Sequence, residues 1–162
     1  MPNHYLAIDI GSSTVAAVII DLDSKSVVGS ASAVNTAEIT SPDDKKIGRS
    51  EWDLEVMTEL AVKNAADLIT TTGADPAAIG VTGQQQGLQL LDNDLNAASM
   101  FISWQDQRSK EFLPGEQCTY LGAMGDLGGA VVEDGGLPAF ENTGCPLVTG
   151  YTAPNLFWLK TN

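Results

Sequence analysis

The chain has 162 residues, of which 43% are hydrophobic, a composition that excludes a disordered protein and allows one domain with a real core. Its formal net charge is −13, from 8 Lys and Arg residues against 21 Asp and Glu residues. Nucleic acids and anionic membrane surfaces bind clustered cations, so this charge balance argues against both as partners. A phosphorylated ligand would instead need backbone amides, a metal ion or a few well-placed cations.

The sequence contains no recognisable targeting or membrane-spanning segment. The start, MPNHYLAIDI, lacks the basic and long apolar regions of a signal peptide, and no run approaches the roughly 20 apolar residues that cross a bilayer. Cys118 and Cys145 have no metal-ligand or CxxC spacing, which favours two free thiols in a reducing compartment. His4 is the only histidine, so a histidine metal site or a Ser-His-Asp triad is nearly excluded. We therefore expect a cytoplasmic protein.

The first half of the chain predicts three strands followed by a helix. Residues 35–50 are polar and predict a loop. Asp53 is then a typical N-cap, after which apolar residues recur at helical spacing up to Gly73, with Pro76 just beyond. Three short apolar runs before this region predict the strands of an antiparallel meander: 4–10, 15–22 and 26–34.

The second half of the chain predicts shorter elements. Residues 77–83 and 99–104 predict strands, and 105–113 could begin a helix. Residues 121–136 are rich in glycine, which disfavours helices and strands, so we expect a loop or frayed structure there. Residues 151–160 predict a helix with a proline in its first turn. Together these elements predict an α/β domain with a mixed sheet.

The first candidate site is the turn at the end of the first strand, from Asp9 to Thr14. Gly11 lets the backbone approach a ligand without a Cβ in the way, and successive turn amides can form an anion-binding concavity. The hydroxyls of Ser12, Ser13 and Thr14 add donors. Asp9 could hold a magnesium ion, directly or through water, opposite the phosphates. Taken alone, the same residue types are more typical of an ordinary turn.

The second candidate site is a run of three amides, Gln84, Gln85 and Gln86, between two glycines at a predicted strand end. Glutamine amides both donate to and accept from hydroxyl groups, and ligands of open α/β sheets bind at strand ends. The run therefore favours contacts with a sugar, although most glutamine runs are solvated loops.

The third candidate site is SWQDQR, residues 103–108. The face of Trp104 could pack against the apolar face of a sugar, while Asp106 and Arg108 offer charged hydrogen bonds. The alternative is a buried tryptophan beside an Asp106–Arg108 surface pair.

Four stretches, in this order, then define a resemblance: AIDIGSSTVAAVIID, IGVTGQQQGLQLLD, ISWQDQR and TGCPLVTGYTAPNLFWLK. Together they resemble the N-terminal lobe of the FGGY carbohydrate kinases, the group of xylulokinase, glycerol kinase and sedoheptulokinase. The resemblance implies that residues 1–162 form an N-terminal kinase domain with an RNase H-like fold of the actin and hexokinase ATPase type. It implies a β-β-β-α-β-α core and transfer of the γ-phosphoryl group of ATP, with Mg²⁺, to a sugar or polyol hydroxyl.

The same resemblance implies roles for the three candidate sites. The turn that begins at Gly11 would face the phosphates, with Asp9 near the metal. The segment Gln84–Gln86 would contact the substrate. Trp104 and Asp106 would line the same pocket.

The sequence also departs from the family. Xylulokinase-like members have Gln-Met-His, and glycerol kinases Gln-Arg-Glu, where this chain has Gln84-Gln85-Gln86, so the sugar is not identified. Gly150 stands where glycerol kinases place a substrate-contacting tyrosine. The family's catalytic base is an Asp in a later glycine-rich segment that this sequence lacks, and its second lobe holds the adenosine. We therefore expect a domain that is inactive alone and whose partner is the C-terminal lobe of the same enzyme.

Two other functions are compatible with the residues. The first is a non-catalytic domain that binds a polyol or a partner and that could form a homodimer through an exposed apolar face. The second is a related actin-fold ATPase such as a dehydratase activator, which also opens with an IDIGSTT-like turn. The segments GQQQG and WQDQR argue against this second alternative.

Overall fold

The computed structural model describes residues 3–132 and 136–162. Part of the predicted loop, residues 133–135, lies outside this description. The chain divides into two compact units, each formed by two segments: Met1–Glu38 with Asp53–Gln84, and Ile39–Trp52 with Gln85–Asn162.

The described residues form eight strands, four α-helices and one 3₁₀ turn, which covers Arg108–Lys110. The strands are β1 (His4–Ile10), β2 (Thr14–Asp21), β3 (Ser26–Val34), β4 (Glu51–Trp52), β5 (Pro76–Gly83), β6 (Phe101–Ile102), β7 (Ala130–Val131) and β8 (Ala139–Phe140). The helices are α1 (Pro42–Lys46), α2 (Leu54–Thr72), α3 (Tyr120–Gly128) and α4 (Thr152–Thr161).

The first unit is a four-stranded mixed sheet with one helix. Its strand order is β3-β2-β1-β5, with β1 antiparallel to β2 and parallel to β5. Alternate residues of β1 and β2 face α2, whose own small apolar residues recur at helical spacing, so the two elements share one core. The buried members of that core are Leu6, Ile8, Val15, Ala17, Ile19, Ala61, Ala65, Leu68 and Ala74.

Local signals determine where α2 begins and ends. The Asp53 carboxylate accepts from the backbone N–H groups of Glu55 and Val56, at 2.9 and 3.2 Å. Gly73 adopts a left-handed conformation with φ 64°, and its N–H donates to the Ile69 carbonyl at 2.9 Å. Both ends of the helix are therefore confirmed as predicted.

Strand β5 is an outer strand of this sheet, and most of its side chains are exposed. Ile79 and Val81 are 61% and 66% exposed. The strand contains no charged residue.

The second unit consists of short elements around an aromatic cluster. Strand β4 pairs with β6, and β7 pairs with β8, two residues each. Tyr120, at the start of α3, is buried against the rings of Phe157 and Trp158 in α4, with centroids 6.2 and 6.3 Å away. Aromatic side chains therefore join the two longer helices of this unit.

The prediction of a loop over 121–136 is wrong for its first half, which is the helix α3. The Thr119 hydroxyl accepts from the Gly122 N–H at 3.0 Å, and Gly129 ends the helix in a left-handed conformation. Two of its glycines are sites of close packing: a Cβ at Gly125 would lie 2.8 Å from Leu147 Cδ2, and one at Gly128 would overlap the Phe140 ring. Tertiary packing thus outweighs the low helix propensity of glycine.

The region around residues 35–50 and 99–113 also differs from the sequence-based prediction. The predicted loop contains the short helix α1, which is capped by the Ser41 hydroxyl. The strand predicted over 99–104 is only the two-residue strand β6. The helix predicted to begin within 105–113 is a single 3₁₀ turn. The hydroxyl of Ser103 and the carboxylate of Asp106 accept from nearby backbone N–H groups, which competes with regular structure.

The described residues include no helix that is both long and apolar enough to cross a membrane. Both cysteines, Cys118 and Cys145, are free thiols.

Alanine at Gly128 tests whether packing selects glycine in α3. Alanine in a helix normally adds about 0.5–1 kcal/mol of stability over glycine. We expect Gly128→Ala instead to lower the free energy of unfolding by about 1–3 kcal/mol, because the Phe140 ring would have to move. Urea denaturation followed by circular dichroism measures the change. In a Phe140→Leu background the same substitution should be neutral or stabilising, and a stabilising effect in the native background would contradict the packing explanation.

Candidate functional site

The turn between β1 and β2 is tight and requires glycine at its first position. The Gly11 N–H donates to the Thr14 carbonyl at 3.0 Å, and a Cβ at Gly11 would lie 2.9 Å from that oxygen. Ser13 and Thr14 are exposed and Ser12 is partly exposed. The three residues whose hydroxyls were predicted to bind phosphate are therefore accessible at one end of the first sheet.

Asn35, just after β3, holds this turn in place. Its side-chain Nδ2 donates to the Gly11 carbonyl at 2.8 Å, and its backbone N–H donates to the Ser13 carbonyl at 2.9 Å. Its Oδ1 accepts from the Ala37 N–H at 3.1 Å. Sequence reasoning missed Asn35; the available signal was a polar residue directly after a predicted strand. The turn is consequently preorganised by a buried side chain.

Asp9 lies at the edge of the sheet where the parallel strands β1 and β5 end. It is exposed, and its register partners are Thr82 in β5 and Ala16 in β2. The Gln84 N–H donates to the Ile10 carbonyl at 3.1 Å, which brings the two strand ends together. Ligands of open α/β sheets bind at such carboxyl ends.

Asp9 also borders an open depression of about 660 Å³ on the face of the sheet opposite α2. Small side chains, such as Ala7, Ala16 and Ser32, form much of its lining. The carboxylate therefore stands at the rim of an accessible and mostly apolar surface.

The donor chemistry around the turn is compatible with a magnesium ion that is bound together with a phosphorylated ligand. Within residues 3–132 and 136–162, no group of three or more His, Cys, Asp or Glu side chains could hold a metal by itself. Magnesium at phosphoryl-transfer sites is held by one or two carboxylates together with substrate phosphates and water. Asp9 can supply such a carboxylate, and the exposed turn can face the phosphates.

The second unit contains a separate cavity of about 580 Å³ with an amide-rich lining. Four glutamines and two aromatic residues account for most of its wall. The full lining is Gln85, Gln86, Trp104, Gln105, Gln107, Val148, Thr149 and Tyr151.

Three of the predicted substrate residues line this cavity, namely Gln85, Gln86 and Trp104. Gln84 belongs to the first unit, and both polar atoms of its side chain are buried without a hydrogen-bond partner. Asp106 and Arg108 are buried and are not among the lining residues.

Sequence reasoning missed Gln105, Gln107, Thr149 and Tyr151 as lining residues. Gln105 and Gln107 lie within SWQDQR, directly beside the charged residues Asp106 and Arg108. Residues 104–105 form a turn rather than a strand, so no strand periodicity in the sequence marked these two glutamines as lining residues.

The buried carboxylate of Asp106 organises the segment that presents these lining residues. It accepts from the Ser50 N–H and the Arg108 N–H, both at 2.8 Å, and from Nε and Nη2 of Arg108 at 2.8 and 2.9 Å. Arg108 Nη2 also donates to Glu51 Oε1 at 2.6 Å. The charges are thus satisfied within the protein.

Arg108 keeps its charge in this environment. Burial alone lowers the pKa of the guanidinium, but hydrogen bonds and the charges of Asp106 and Glu51 outweigh that effect, so the pKa is raised. A permanently charged Arg108 is stable only while its two carboxylate partners remain in place.

Trp158 in α4 contacts two guanidinium groups. The Cζ atoms of Arg49 and Arg108 each lie 4.9 Å from its ring, a cation–π geometry. Its Nε1 donates to Glu111 Oε2 at 3.0 Å, and Glu111 also accepts from Arg49 Nε at 3.0 Å. Helix α4 is therefore anchored to the same charged cluster as the Trp104 segment.

Gly150 allows the segment before α4 to approach the Trp104 backbone. It has φ +77°, and a Cβ built there would overlap the carbonyl oxygen of Trp104. Val148, Thr149 and Tyr151 can then line the same cavity as Trp104. A tyrosine at position 150 would not fit this backbone arrangement.

The mixed α/β sheet, with its glycine turn at the end of β1, identifies the class of fold. The chain has the actin and hexokinase-like ATPase fold. Residues 4–120 match the model of the FGGY family of carbohydrate kinases, N-terminal domain. The chain therefore belongs to the FGGY family of carbohydrate kinases.

Individual relatives agree with this assignment. The chain is 27% identical to the xylulose kinase of Haemophilus influenzae, covering 98% of this chain and 30% of that protein. A xyloylose kinase structure from Brucella ovis superposes with a TM-score of 0.68 and 25% identity, covering 99% of this chain and 30% of that one. The xylulose kinase structure from Rhodospirillum rubrum gives a TM-score of 0.59 and 27% identity, covering 69% and 22%. The chain spans about 30% of the length of the curated relatives it matches.

Removing the Asp106 carboxylate tests the charged cluster. We expect Asp106→Ala to lower the free energy of unfolding by about 3–5 kcal/mol, because Arg108 would stay buried with one carboxylate partner fewer. The control is Asp43→Ala, which breaks the exposed Lys46–Asp43 pair and should cost less than about 1 kcal/mol. Urea denaturation followed by tryptophan fluorescence compares them, and equal losses would refute the importance of the cluster.

Alanine at Gly150 tests the close approach to Trp104. Gly115→Ala is a matched control, because Gly115 has φ +79° but a Cβ there meets nothing within 4 Å. The control should lose about 1–2 kcal/mol from backbone strain alone. We expect Gly150→Ala to lose clearly more stability and to change the near-ultraviolet circular dichroism of tryptophan. If the two variants behave alike, steric overlap with Trp104 is not what requires glycine.

Proposed function

We propose that this chain is the N-terminal domain of a kinase that transfers the γ-phosphoryl group of ATP to a hydroxyl of a sugar or polyol. The observation that carries the proposal is the amide- and aromatic-lined cavity of a chain that belongs to the FGGY family. Amides and aromatic faces are the groups that bind sugars, and the family consists of carbohydrate kinases.

The β1–β2 turn is the part of the chain proposed to face the phosphates. Phosphoryl transfer requires positioning and charge neutralisation more than covalent chemistry. The hydroxyls of Ser12, Ser13 and Thr14 would contact phosphate oxygens. Gly11, whose N–H donates to the Thr14 carbonyl, would keep the turn tight and let the phosphates approach without a Cβ in the way. Asp9 would hold a magnesium ion, directly or through water, and the ion would neutralise phosphate charge. Because Asn35 fixes the turn, these donors need no rearrangement to bind.

Gln85, Gln86 and Trp104 are proposed to contact the carbohydrate. The amides would exchange hydrogen bonds with hydroxyls, and the Trp104 ring, which is 48% exposed, would cover an apolar face. Asp106 and Arg108 would act by positioning the segment that bears Trp104, since their own charges are paired within the protein.

The complete reaction also needs a general base and a site for the adenosine. We propose that both belong to a C-terminal lobe, because the chain spans only about 30% of the length of its curated relatives. The 162 residues by themselves should then bind ligands without turning them over. We further propose that the protein works in the cytoplasm.

A phosphorylation assay tests whether this chain is complete as a catalyst. The chain, incubated with Mg²⁺-ATP and a panel of pentuloses, heptuloses and polyols, should form no ADP above the rate without carbohydrate. ADP formation coupled to NADH oxidation measures this rate. Robust ADP release that depends on one carbohydrate would show that the base lies within these residues.

A charge-neutral change at Asp9 tests the assignment of the phosphate site. We expect Asp9→Asn to weaken Mg²⁺-ATP binding at least tenfold, because Asp9 would no longer supply a carboxylate to the ion. Carbohydrate binding and the free energy of unfolding should change little, since Asp9 is exposed. Asp23→Asn, an exposed acid in the β2–β3 turn, controls for net charge. Calorimetric titration measures the affinity for Mg²⁺-ATP. An unchanged affinity in Asp9→Asn would contradict the assignment and indicate that residues 9–14 are an ordinary turn.

A further inference from the structure

Thr82, the last residue but one of β5, stands beside Asp9 across the parallel strand pair. The pairing of β1 with β5 makes Asp9 the register partner of Thr82, and Ile10 the partner of Gly83. Neighbouring strands are about 4.8 Å apart, and residues paired in register have their side chains on the same face of a sheet. The hydroxyl of Thr82 and the carboxylate of Asp9 therefore emerge side by side.

Both side chains border the open depression on the face of the sheet opposite α2. The hydroxyl groups among its lining residues belong to Ser30, Ser32 and Thr82. Ser30 and Ser32 lie on β3, and β2 separates that strand from β1. Of these three hydroxyls, the one on a strand adjacent to Asp9 is that of Thr82.

The Asp9 carboxylate lies beside the glycine turn, and the Thr82 hydroxyl is accessible from the same side of the sheet. A Cβ built at Gly11 would lie 4.0 Å from Asp9 Oδ2, so the carboxylate reaches toward the turn. Thr82 is exposed, and within residues 3–132 and 136–162 its hydroxyl is bonded to no other protein group. A ligand at the turn can therefore meet both oxygens.

The backbone that carries Thr82 is held in place at the end of the sheet. The Gln84 N–H donates to the Ile10 carbonyl at 3.1 Å, so the pairing with β1 continues past Thr82. A Cβ at Gly83 would lie 3.2 Å from the same carbonyl oxygen, which shows how closely the two strand ends approach. Binding at Thr82 therefore requires no ordering of a loop.

A magnesium ion beside Asp9 brings water ligands that need hydrogen-bond acceptors. Magnesium keeps several waters when it is bound by one or two carboxylates and phosphate oxygens. Ala16, the partner of Asp9 in β2, and Ala7, two residues before it, offer no side-chain oxygen on this face. The Thr82 hydroxyl has two lone pairs that can accept from such a water.

We propose that Thr82 is a further binding residue of the phosphate site, and that its hydroxyl accepts a hydrogen bond from a water ligand of the magnesium ion that Asp9 holds. The inference rests on the proposed function, because it assigns another residue to the same phosphate-facing edge of the sheet. It extends to β5 a site that was predicted from the β1–β2 turn alone.

Three substitutions separate the hydroxyl from the rest of the side chain. Thr82→Val keeps the branched shape that suits a strand and removes the hydroxyl, whereas Thr82→Ser keeps the hydroxyl. Calorimetric titration of the whole chain with Mg²⁺-ATP should show a loss of affinity of about three- to tenfold in Thr82→Val and near-native affinity in Thr82→Ser. Ser32→Ala is the matched control, because it removes an exposed hydroxyl from the same depression on a more distant strand, and it should change nothing.

The substituted residues are exposed, so the melting temperature and carbohydrate binding should stay unchanged in all three variants. Unchanged Mg²⁺-ATP affinity in Thr82→Val overturns the inference. Equal losses in Thr82→Val and Thr82→Ser also overturn it, because the hydroxyl would then not be the contact.

A double-mutant cycle tests whether Thr82 and Asp9 act on one ion. In an Asp9→Asn background, Thr82→Val should weaken Mg²⁺-ATP binding by less than about twofold, because the ion whose water it contacts is no longer held. Independent losses that multiply overturn the inference and leave the proposed function standing, provided that Asp9→Asn alone weakens binding. If the native chain does not bind Mg²⁺-ATP, the inference and the proposed phosphate site fail together.

Discussion

The buried carboxylate of Asp106 is the group on which the arrangement of the second unit depends. It joins the backbone at Ser50 to the backbone and guanidinium of Arg108, and Arg108 in turn reaches Glu51 and the ring of Trp158. Segments that are distant in the sequence therefore meet around one charge. Because a buried charge tolerates few alternative arrangements of its partners, the cluster determines where the Trp104 segment and α4 lie, and these are the elements that border the amide-lined cavity.

The regular elements of the first unit could be predicted because their signals are local. The strands β1 to β3 are short apolar runs, and α2 has its cap at Asp53 and its end at Gly73. The helix α3 could not be predicted in this way. Its glycines disfavour a helix by themselves, and the contacts that compensate come from Leu147 and Phe140, which follow later in the chain. Propensity describes one residue at a time, whereas close packing depends on the partner.

The sequence indicated which residues have the chemistry of a binding site, and the structure shows which of them line a cavity and which are buried. The turn at Gly11 and the lining residues Gln85, Gln86 and Trp104 follow from residue type and position at strand ends. The charged residues of SWQDQR have the chemistry of ligand contacts, yet Asp106 and Arg108 pair with each other. The neutral glutamines beside them, Gln105 and Gln107, line the cavity instead. A sequence shows which groups are chemically capable, but only the fold shows which of them remain free to meet a ligand.

The outer strand β5 also affects how the protein behaves in concentrated solution. Its exposed Ile79 and Val81 and its uncharged backbone edge form a surface on which a second extended chain could pair. The large negative charge of the protein keeps copies apart near neutral pH, and that repulsion disappears as the pH approaches the isoelectric point near 4.1. Apart from Pro76 at its first position, the strand has none of the charged or proline residues that protect many edge strands, so pairing at this edge is opposed mainly by long-range repulsion, which acid or salt weakens.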